Sequence, residues 1–361
     1  MKVLIVPKYG RKEDNAAYFL AQSLVNMYQN NGIVSAICAP TDCGIRNTTL
    51  FPAPIVKKGF FDASPKESIK RYGEYLWEHK LSSSTYLEED TSALLKAVTS
   101  FQPNFILDLG RLSAIIVGRA NKIPVFSFIS GVMLKEKEED TSFLKGINET
   151  LYKYHVEQIL HLKDFYNYSH KIFMFGPILT NPVSDEEKII RLGSMGRNLQ
   201  DFSFGDKVSI YLGDVNWKPT KMKALIEDTF LGAPYPIEAY FNGSVLGKAQ
   251  NINFYPSFDE ERLIGSRVVI HDGNEYIFNR SVLLNKPQVI VDDGSCLRHW
   301  VASGANRNGL CVVIPEKELS VQTLYEAYRR VLDDSYYQEH TQEFSSQFKK
   351  LGELTKLLDY Y

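Results

Sequence analysis

Short apolar runs alternate with stretches of helical spacing along the first 178 residues. Buried strands are predicted where apolar side chains follow one another directly, at residues 2–6, 33–40, 105–109 and 123–129. Helices are predicted over 14–31, in two stretches between 60 and 100, and over 141–162. Because strands alternate with helices, the pattern predicts a parallel sheet that is covered by helices on both faces.

The same alternation restarts after a polar segment. Residues 179–206 contain three glycines and one proline and are predicted to form a linker. Strands are then predicted at 208–213, 237–241, 252–255, 267–271, 287–291 and 310–314, with helices near 219–231, 274–284, 297–303 and 319–333 and a last amphipathic helix over 335–359. The pattern therefore predicts an α/β fold of two tandem doubly wound, Rossmann-like domains, 1–178 and 207–334, followed by a C-terminal helix within 335–361. In such sheets ligands bind at the carboxyl ends of the strands.

Length, composition and charge narrow the class of protein. The chain has 361 residues, 44% apolar and 23% charged, which is enough for two globular domains. Its net charge of -2 gives no electrostatic reason for binding nucleic acid or an anionic membrane. No apolar run reaches the roughly eighteen residues of a transmembrane helix, and the N-terminal run is too short for a signal peptide. A cytoplasmic location is expected.

The cysteines do not suggest a metal or disulfide site. Cys38, Cys43, Cys296 and Cys311 are scattered and form no CxxC pair. This spacing argues against a disulfide framework and against a zinc site.

The segment RVVIHDGNEYIF, residues 267–278, has the strongest chemical pattern in the chain. A buried strand is predicted to end at His271, a turn follows at Asp272-Gly273, and a helix is predicted to begin near Asn274. The free N–H groups and the dipole of a first helical turn favour an anion such as a phosphate. His271 can donate to that phosphate or, alternatively, satisfy a nearby backbone carbonyl.

The order of segments around this strand resembles the C-terminal half of the GT-B glycosyltransferases that act in plant secondary metabolism and bacterial antibiotic synthesis. In that family a strand ends in His-x-Gly, and a helix, a Pro-Gln strand, a sugar-reading loop and a terminal helix follow. The matching segments here are HDGNEYIFNRSVLLNKPQVIV (271–291) and LSVQTLYEAYRRVL (319–332). The upstream segment INFYPSFDEERLIGSRVVI (252–270), which contains Tyr255, resembles the part that packs on the nucleotide base.

The N-terminal half resembles the bacterial antibiotic enzymes of the same family. The matching segments are the opening strand with its charged Gly-Arg loop, CAPTDC (38–43), FILDLGRLSAIIVGRANKIPVFSF (105–128) and VSIYLGD (208–214). The resemblance therefore spans nearly the whole chain. It implies transfer of a sugar from a UDP- or dTDP-linked donor to an acceptor hydroxyl, with inversion and with no obligatory metal or other cofactor. In this fold the last helix often crosses back to the N-terminal domain; plain packing is the other interpretation of 335–361.

The resemblance also implies roles for individual residues. An acid in the first loop acts as general base, and Glu13 or the adjacent Asp14 stands at that position; alternatively, either acid only caps the following helix. The residues implied to bind the donor are Gly213, Asp214, Tyr255, His271, Gly273, Asn274, Glu275, Asp292, Asp293, Arg298 and His299.

Three departures from the family pattern leave alternatives open. Asn274, Glu275 and Tyr276 stand where the family has Ser or Thr, Asp214 replaces a Ser, and Cys296-Leu297 replaces the sugar-reading acid-Gln pair. The chain is therefore expected to use an unusual donor, to bind the donor in a shifted pose, or to be a degenerate accessory protein of another transferase. The acceptor, whether small molecule, glycan or lipid-linked, is not specified by the sequence, and neither is a partner transferase or a second copy of the chain.

Overall fold

The computed structural model describes residues 1–8, 15–40, 43–54, 71–135, 141–183, 187–196, 205–213, 215 and 217–360, and side chains in all of these except 15–17 and 141–142. The chain divides into two compact units. Unit 1 comprises Met1–Met174 and Val183–Arg191, and unit 2 comprises Phe175–Pro182 and Leu192–Tyr361. No helix among the described residues is long and apolar enough to cross a membrane.

Unit 1 is built on a seven-stranded sheet with helices between the strands. Its elements are β1 (Lys2–Val6), α1 (Asn15–Asn30), β2 (Val34–Ala39), β3 (Thr49–Pro52), α2 (Tyr72–Glu78), α3 (Ser84–Phe101), β4 (Phe105–Asp108), α4 (Leu112–Ala120), β5 (Val125–Phe128), α5 (Lys145–Lys153), α6 (Leu162–Tyr166), β6 (Lys171–Phe175) and β7 (Ile189–Leu192).

The strand order of this sheet is β3-β2-β1-β4-β5-β6-β7. The central strands are buried along nearly their whole length, as expected for parallel strands that are covered on both faces. The order reverses between β1 and β4, which pair in parallel with Val6 opposite Asp108. This reversal is the topological switch point, where doubly wound sheets open a crevice for ligands.

Unit 2 repeats the arrangement. Its elements are β8 (Lys207–Leu212), α7 (Pro219–Phe230), β9 (Ile237–Phe241), β10 (Gly247–Ala249), β11 (Ile252–Phe254), β12 (Ser266–His271), α8 (Glu275–Leu283), β13 (Gln288–Asp292), α9 (Cys296–Arg307), β14 (Cys311–Pro315), α10 (Val321–Asp333) and α11 (Ser335–Lys350). The strand order is β10-β11-β9-β8-β12-β13-β14, and β10 pairs antiparallel with β11 at the edge. The switch point lies between β8 and β12.

Short 3-10 helices supplement both units. They cover Gly131–Leu134, Thr141–Leu144, Glu260–Leu263, Glu316–Glu318 and Leu354–Tyr360. The fold class predicted from the sequence is confirmed: each unit is a doubly wound α/β layer structure on one predominantly parallel sheet.

Several boundaries differ from the predicted ones. The long helix predicted over 141–162 ends at Lys153, because His155 adopts a left-handed backbone with φ 56°. The last helix ends at Lys350, and Gly352 with φ 89° follows it. The predicted linker contains the edge strand β7, whose neighbour in the sheet is β6. Strands β3 and β10, also near sheet edges, were not predicted.

The helix α11 packs inside unit 2. The Phe348 ring meets Phe278 of α8 edge-on at 6.3 Å, and Ser345 Oγ donates to the Leu283 carbonyl at 3.3 Å. At its end, the Gly193 amide donates to the Gly352 carbonyl at 2.9 Å. The contacts of α11 described here all belong to unit 2, which also contains the short segment Phe175–Pro182.

Candidate functional site

The predicted donor residues follow three neighbouring strands of unit 2. Gly213 comes directly after β8, His271 ends β12, and Asp292 ends β13. Strand β12 lies between the other two, and both pairings are parallel. Since the carboxyl ends of parallel strands meet at one edge, these residues share the edge at which the switch point lies. Asp214 lies outside the described residues.

His271 is fully buried and both of its ring nitrogens are bonded within the protein. The Gly273 amide donates to Nδ1 at 3.2 Å, so the proton of the neutral ring sits on Nε2 and is donated to Gln288 Oε1 at 2.8 Å. Burial lowers the pKa of His271 to about 4, against the raising effect of the Gln288 hydrogen bond. In this arrangement the imidazole is a neutral structural group. The donation to a phosphate that the sequence suggested requires the ring to exchange one of these partners.

The first turn of α8 is capped by its own residues. Asn274 Oδ1 accepts from the amides of Tyr276 and Ile277 at 3.0 and 3.4 Å. Asp272 Oδ1, on a buried side chain, accepts from the Asn274 amide at 3.2 Å. Three of the amides expected to face a phosphate are therefore bonded inside the protein. An anion reaches the Tyr276 and Ile277 amides only by displacing the Asn274 side chain.

Gly273 brings the turn after β12 directly against α9. Its φ is 79°, a conformation that L side chains rarely adopt. A Cβ on this residue would lie 3.2 Å from the Arg298 carbonyl oxygen and 3.4 Å from the Arg298 Cα. Glycine is therefore required both by the backbone angle and by the close approach of the first turn of α9.

Two acid–base pairs occupy the loop between β13 and α9. Asp292 Oδ2 lies 2.7 Å from His299 Nδ1, while its Oδ1 accepts from the Gly294 amide at 2.9 Å. Asp293 forms an ion pair with Arg298 and accepts from the Ser295 amide at 2.8 Å. The four residues that the sequence assigned to this region, Asp292, Asp293, Arg298 and His299, are thus brought together as two pairs. The His299 side chain remains 61% exposed.

Two further polar residues at this edge were not predicted from the sequence. Ser303 Oγ lies 3.1 Å from His299 Nε2, which continues the chain of hydrogen bonds from Asp292 through the imidazole. The i, i+4 spacing of His299 and Ser303 on α9 is the signal that indicates this contact. Glu316 follows β14, and burial together with the charge of Asp293 raises its pKa.

Tyr255 lies after β11, next to a cation. The guanidinium carbon of Arg262 is 3.6 Å from the centre of the Tyr255 ring, and its Nη1 donates to the Ser257 carbonyl at 3.3 Å. The Tyr255 amide donates to the Ala239 carbonyl at 3.0 Å, which fixes the backbone against β9. A nucleobase can stack on an aromatic ring or on a guanidinium plane. Arg262 belongs to the segment that resembled the base-packing part of the family, although only Tyr255 was predicted as a contact.

The switch point of unit 1 contains a buried acid. Asp108 Oδ1 accepts from the amides of Gly110 and Arg111 at 2.9 and 2.6 Å. Its Oδ2 is buried and has no hydrogen-bond partner in the described part of the chain. Burial raises the pKa of Asp108 to about 7, against the lowering effect of the amide bonds and of the nearby Ser127 hydroxyl. Glu13 and Asp14, predicted in the loop after the neighbouring strand β1, lie outside the described residues.

A buried ion pair holds the start of α4 beside this acid. The Arg111 guanidinium pairs with both carboxylate oxygens of Asp90 on α3, and its Nη1 donates to the Cys38 carbonyl at 3.1 Å. Both charged side chains are buried. Through these bonds Arg111 connects the start of α4 to α3 and to the backbone of β2.

Comparisons with known proteins identify the fold. No known family profile matches the chain, and no curated protein sequence matches it. Solved structures do match over its whole length. The spinosyn rhamnosyltransferase SpnG has a TM-score of 0.73 and 14% identity, covering 100% of this chain and 99% of that one.

Two other solved glycosyltransferases give a similar result. VinC, solved in complex with dTDP, has a TM-score of 0.70 and 13% identity, covering 100% of this chain and 98% of that one. SsfS6 from Streptomyces sp. SF2575 has a TM-score of 0.70 and 12% identity, covering 99% of both chains. At these identities the likeness establishes the fold, which is the GT-B fold expected from the sequence.

Proposed function

We propose that this chain is a nucleotide-sugar-dependent glycosyltransferase. It transfers a sugar from a UDP- or dTDP-linked donor to an acceptor hydroxyl, with inversion, and needs no obligatory metal ion. The observation that carries the proposal is that the predicted donor residues other than Tyr255 and Asp214 follow three adjacent strands, β8, β12 and β13, at the switch point of unit 2. The chain resembles solved glycosyltransferases in fold, and in the GT-B fold the nucleotide donor is expected to bind at that edge.

The donor side of the reaction uses groups of unit 2. The nucleobase stacks on the Tyr255 ring or on the Arg262 guanidinium, whose central carbon lies 3.6 Å from the ring centre. The diphosphate binds the amides of Tyr276 and Ile277 after the Asn274 side chain moves away, and these fixed dipoles stabilise the leaving group. Such stabilisation does not require a metal, and both acids of the β13–α9 loop are already paired with His299 and Arg298.

The Asp292–His299 pair hydrogen-bonds the hydroxyl groups of the donor sugar. Because Asp292 accepts from Nδ1, Nε2 of the neutral imidazole is an acceptor, and Ser303 donates to it. A sugar hydroxyl takes over that donation when the donor binds. On the acceptor side, Glu13 or Asp14 removes the proton of the attacking hydroxyl, which contributes roughly 10²–10⁴-fold to the rate. The acceptor itself, a small molecule, a glycan or a lipid-linked group, is left open.

A second candidate is a degenerate accessory protein that partners another transferase, and one observation favours it. The α8 amides are capped internally by Asn274, and His271 is buried with both nitrogens bonded. A site that has lost its ligand is expected to satisfy its polar groups in this way.

Calorimetric titration with UDP and dTDP separates the two candidates. A transferase binds at least one of them, and Asn274→Ser, which shortens the competing cap, binds it at least as tightly. Hydrolysis of a panel of UDP- and dTDP-sugars then measures turnover, and NMR of the released sugar reports inversion at the anomeric carbon. If no nucleotide binds and no nucleotide sugar of the panel is hydrolysed, the transferase proposal is contradicted and the accessory-protein proposal is favoured.

The base is identified by Glu13→Gln and Asp14→Asn in the same hydrolysis assay. The variant that removes the base loses roughly 10²–10⁴-fold in turnover, whereas the other variant stays near the wild-type rate. Equal activity of both variants and of the wild type would refute the assignment of the base to this loop.

A further inference from the structure

Three asparagines of the chain are followed directly by glycine, at Asn31-Gly32, Asn242-Gly243 and Asn308-Gly309. Such a pair can lose ammonia by an internal reaction, in which the glycine nitrogen attacks the carbonyl carbon of the asparagine side chain. Glycine allows this approach because it has no Cβ beside its nitrogen. The reaction also requires that the side chain rotate and that the glycine amide be free, so the fold decides which of the three pairs reacts.

The pair Asn31-Gly32 is held at the end of α1. Asn31 Nδ2 donates to the Met27 carbonyl at 2.8 Å, and the Gly32 amide donates to the Gln29 carbonyl at 3.1 Å. Both reacting groups must therefore give up a hydrogen bond before they can meet, and the loss of each bond slows the reaction.

The pair Asn308-Gly309 is held more tightly, at the end of α9. Asn308 Nδ2 donates to the carbonyls of Leu179 and Gly304 at 3.0 and 2.7 Å. The Gly309 amide donates to the Asn306 carbonyl at 3.1 Å, and Gly309 is buried. Hydroxide and water therefore reach this pair less easily than they reach an exposed turn.

The pair Asn242-Gly243 lies in the turn after β9 and has neither restraint. The Ser244 amide donates to the Phe241 carbonyl at 2.9 Å, which closes the turn, and Gly243 has a φ of 80°. Turns with this angle at the third residue favour glycine there and leave its amide outside the closing hydrogen bond. In the described part of the chain, neither the Asn242 side chain nor the Gly243 amide has a hydrogen-bond partner.

This turn is also open to solvent. Asn242 and Gly243 are exposed, and the neighbouring residues Val245 and Leu246 are 74% and 75% exposed. Hydroxide, which removes the amide proton, and water, which completes the reaction, therefore both reach the pair.

We propose that Asn242 is a site of spontaneous deamidation. Hydroxide removes the Gly243 amide proton, the nitrogen forms a bond to Cγ of Asn242, and the bond from Cγ to Nδ2 breaks as ammonia leaves with a proton from water. One water molecule then adds to either carbonyl of the succinimide ring and breaks one of its two C–N bonds. The products are aspartate and isoaspartate, each with a negative charge that asparagine lacks.

The new charge falls at the edge of unit 2 that is proposed to bind the donor. Phe241 lies opposite Leu212 in the parallel pairing of β9 with β8, so Asn242 and Gly213 follow paired positions. A carboxylate at residue 242 repels a diphosphate that binds at this edge. This consequence rests on the proposed function, whereas the deamidation itself does not.

The same turn is bonded to the residue predicted to contact the nucleobase. Ser244 Oγ donates to the Tyr255 carbonyl. Isoaspartate adds a methylene group to the main chain of the turn, so this product also disturbs the bond to Tyr255.

Peptide mass spectrometry tests the proposal after the folded protein has been incubated in heavy-oxygen water at pH 8 and digested in ordinary water. Trypsin releases residues 224–248, in which Asn242 is the only asparagine and glutamine is absent. This peptide should gain the mass of replacing NH2 by OH with a heavy oxygen, at a rate that rises with pH because the glycine amide must lose its proton. Asn31 and Asn308 should react at least about tenfold more slowly, since each pair must first break hydrogen bonds.

The unfolded chain is the matched control, because the three pairs consist of the same two residues. In guanidinium chloride the three rates should agree within a few-fold, so a preference for Asn242 that is seen only in the folded protein comes from the structure. Asn242→Ser should abolish the mass gain of the peptide; the glycine is kept because a Cβ on Gly243 would lie 2.6 Å from Pro219 Cγ. The proposal is overturned if Asn31 or Asn308 reacts as fast as Asn242 in the folded protein, or if the peptide gains no mass.

Calorimetric titration with UDP and dTDP measures the consequence for the donor. Asn242→Asp, which represents one product, should bind nucleotide several-fold more weakly than the wild type, whereas Asn242→Ser, which adds no charge, should match the wild type. Equal binding by Asn242→Asp and the wild type would contradict the charge effect at this edge. If neither nucleotide binds any form but residues 224–248 deamidate as stated, the proposed function fails and the modification site stands. If a nucleotide binds the wild type but Asn242 reacts no faster than the other two asparagines, the modification site alone fails.

Discussion

Replacement of Asp108 by asparagine should change how the stability of unit 1 depends on pH. The Asp108 carboxyl is buried, and its Oδ2 has no hydrogen-bond partner in the described residues. Asparagine has nearly the shape of the protonated acid, keeps an oxygen for the Gly110 and Arg111 amides, and cannot ionise. The variant therefore represents the protonated form of the wild type at every pH.

The magnitude follows from the raised pKa of Asp108, which burial moves from 3.8 to about 7. An acid whose folded-state pKa is raised stabilises the fold at low pH, and that stability is lost as the pH rises through the folded pKa. Each pH unit between the two values costs about 1.4 kcal/mol, so the step from pH 5 to pH 7 lowers the free energy of unfolding by about 2–3 kcal/mol. Above pH 8 the loss levels off.

Hydrogen exchange of peptides covering β4 and α4, measured by mass spectrometry at pH 5 to 8 after correction for the intrinsic rate, reports on unit 1 alone. At pH 5 the wild type should already open somewhat more readily than Asp108→Asn, because its carboxyl is ionised in the unfolded state, and this difference should grow by about 2–3 kcal/mol towards pH 8. At pH 8 the wild type should open more readily, whereas Asp108→Asn stays constant. Glu78→Gln, which removes an exposed acid of the same unit, should follow the wild type. A difference between Asp108→Asn and wild type that is the same at pH 5 and pH 8 would refute the raised pKa.

Three further predictions concern stability. Arg111→Met leaves its carboxylate partner buried and unpaired and should lower the free energy of unfolding by about 3–5 kcal/mol in urea titrations; no loss would contradict a buried pair. Burial depresses the pKa of His271 to about 4, so unit 2 should lose stability as the pH falls from 6.5 towards 4, and His271→Gln should remove that dependence in exchange of β12 peptides. Gly304→Ala places a Cβ 2.4 Å from the Thr180 carbonyl and should lower stability by about 1–3 kcal/mol, whereas Asn306→Ala on the same helix should be nearly neutral in thermal unfolding.

The central strands were predictable because of their composition. A strand buried on both faces, such as β4 or β12, contains a short run of consecutive apolar residues, here Phe-Ile-Leu and Val-Val-Ile. Edge strands lack this pattern. β7 is only four residues long and follows a polar stretch, and β10 is only three residues long, so neither gives a run long enough to predict a strand.

The places in the fold of the predicted donor residues in β12 and α8 could be inferred from the sequence, but their hydrogen bonds could not. The sequence placed His271 and Asn274 correctly at a strand end and at a helix start. Whether a ring nitrogen or a cap oxygen faces a ligand depends on partners far away in sequence, here Gln288, and on rotamers that spacing does not encode. The Asp292–His299 pair was closer to prediction, since both residues were named. Ser303 lies inside the predicted helix 297–303, four residues after His299, but was not predicted as a site residue.

The division of the chain between its two units has a consequence for protein engineering. The polypeptide leaves unit 1 at Phe175, returns at Val183 and departs again at Leu192, so the boundary is crossed three times. In a chimaera spliced at residue 206, the segments 175–182 and 192–196 would come from the protein that supplies unit 1, although they pack in unit 2. It would lose the matched fit of Thr180 to Gly304 and of Gly193 to Asn279. Exchange of unit 2 between proteins of this fold therefore requires that those two short segments be exchanged together with it.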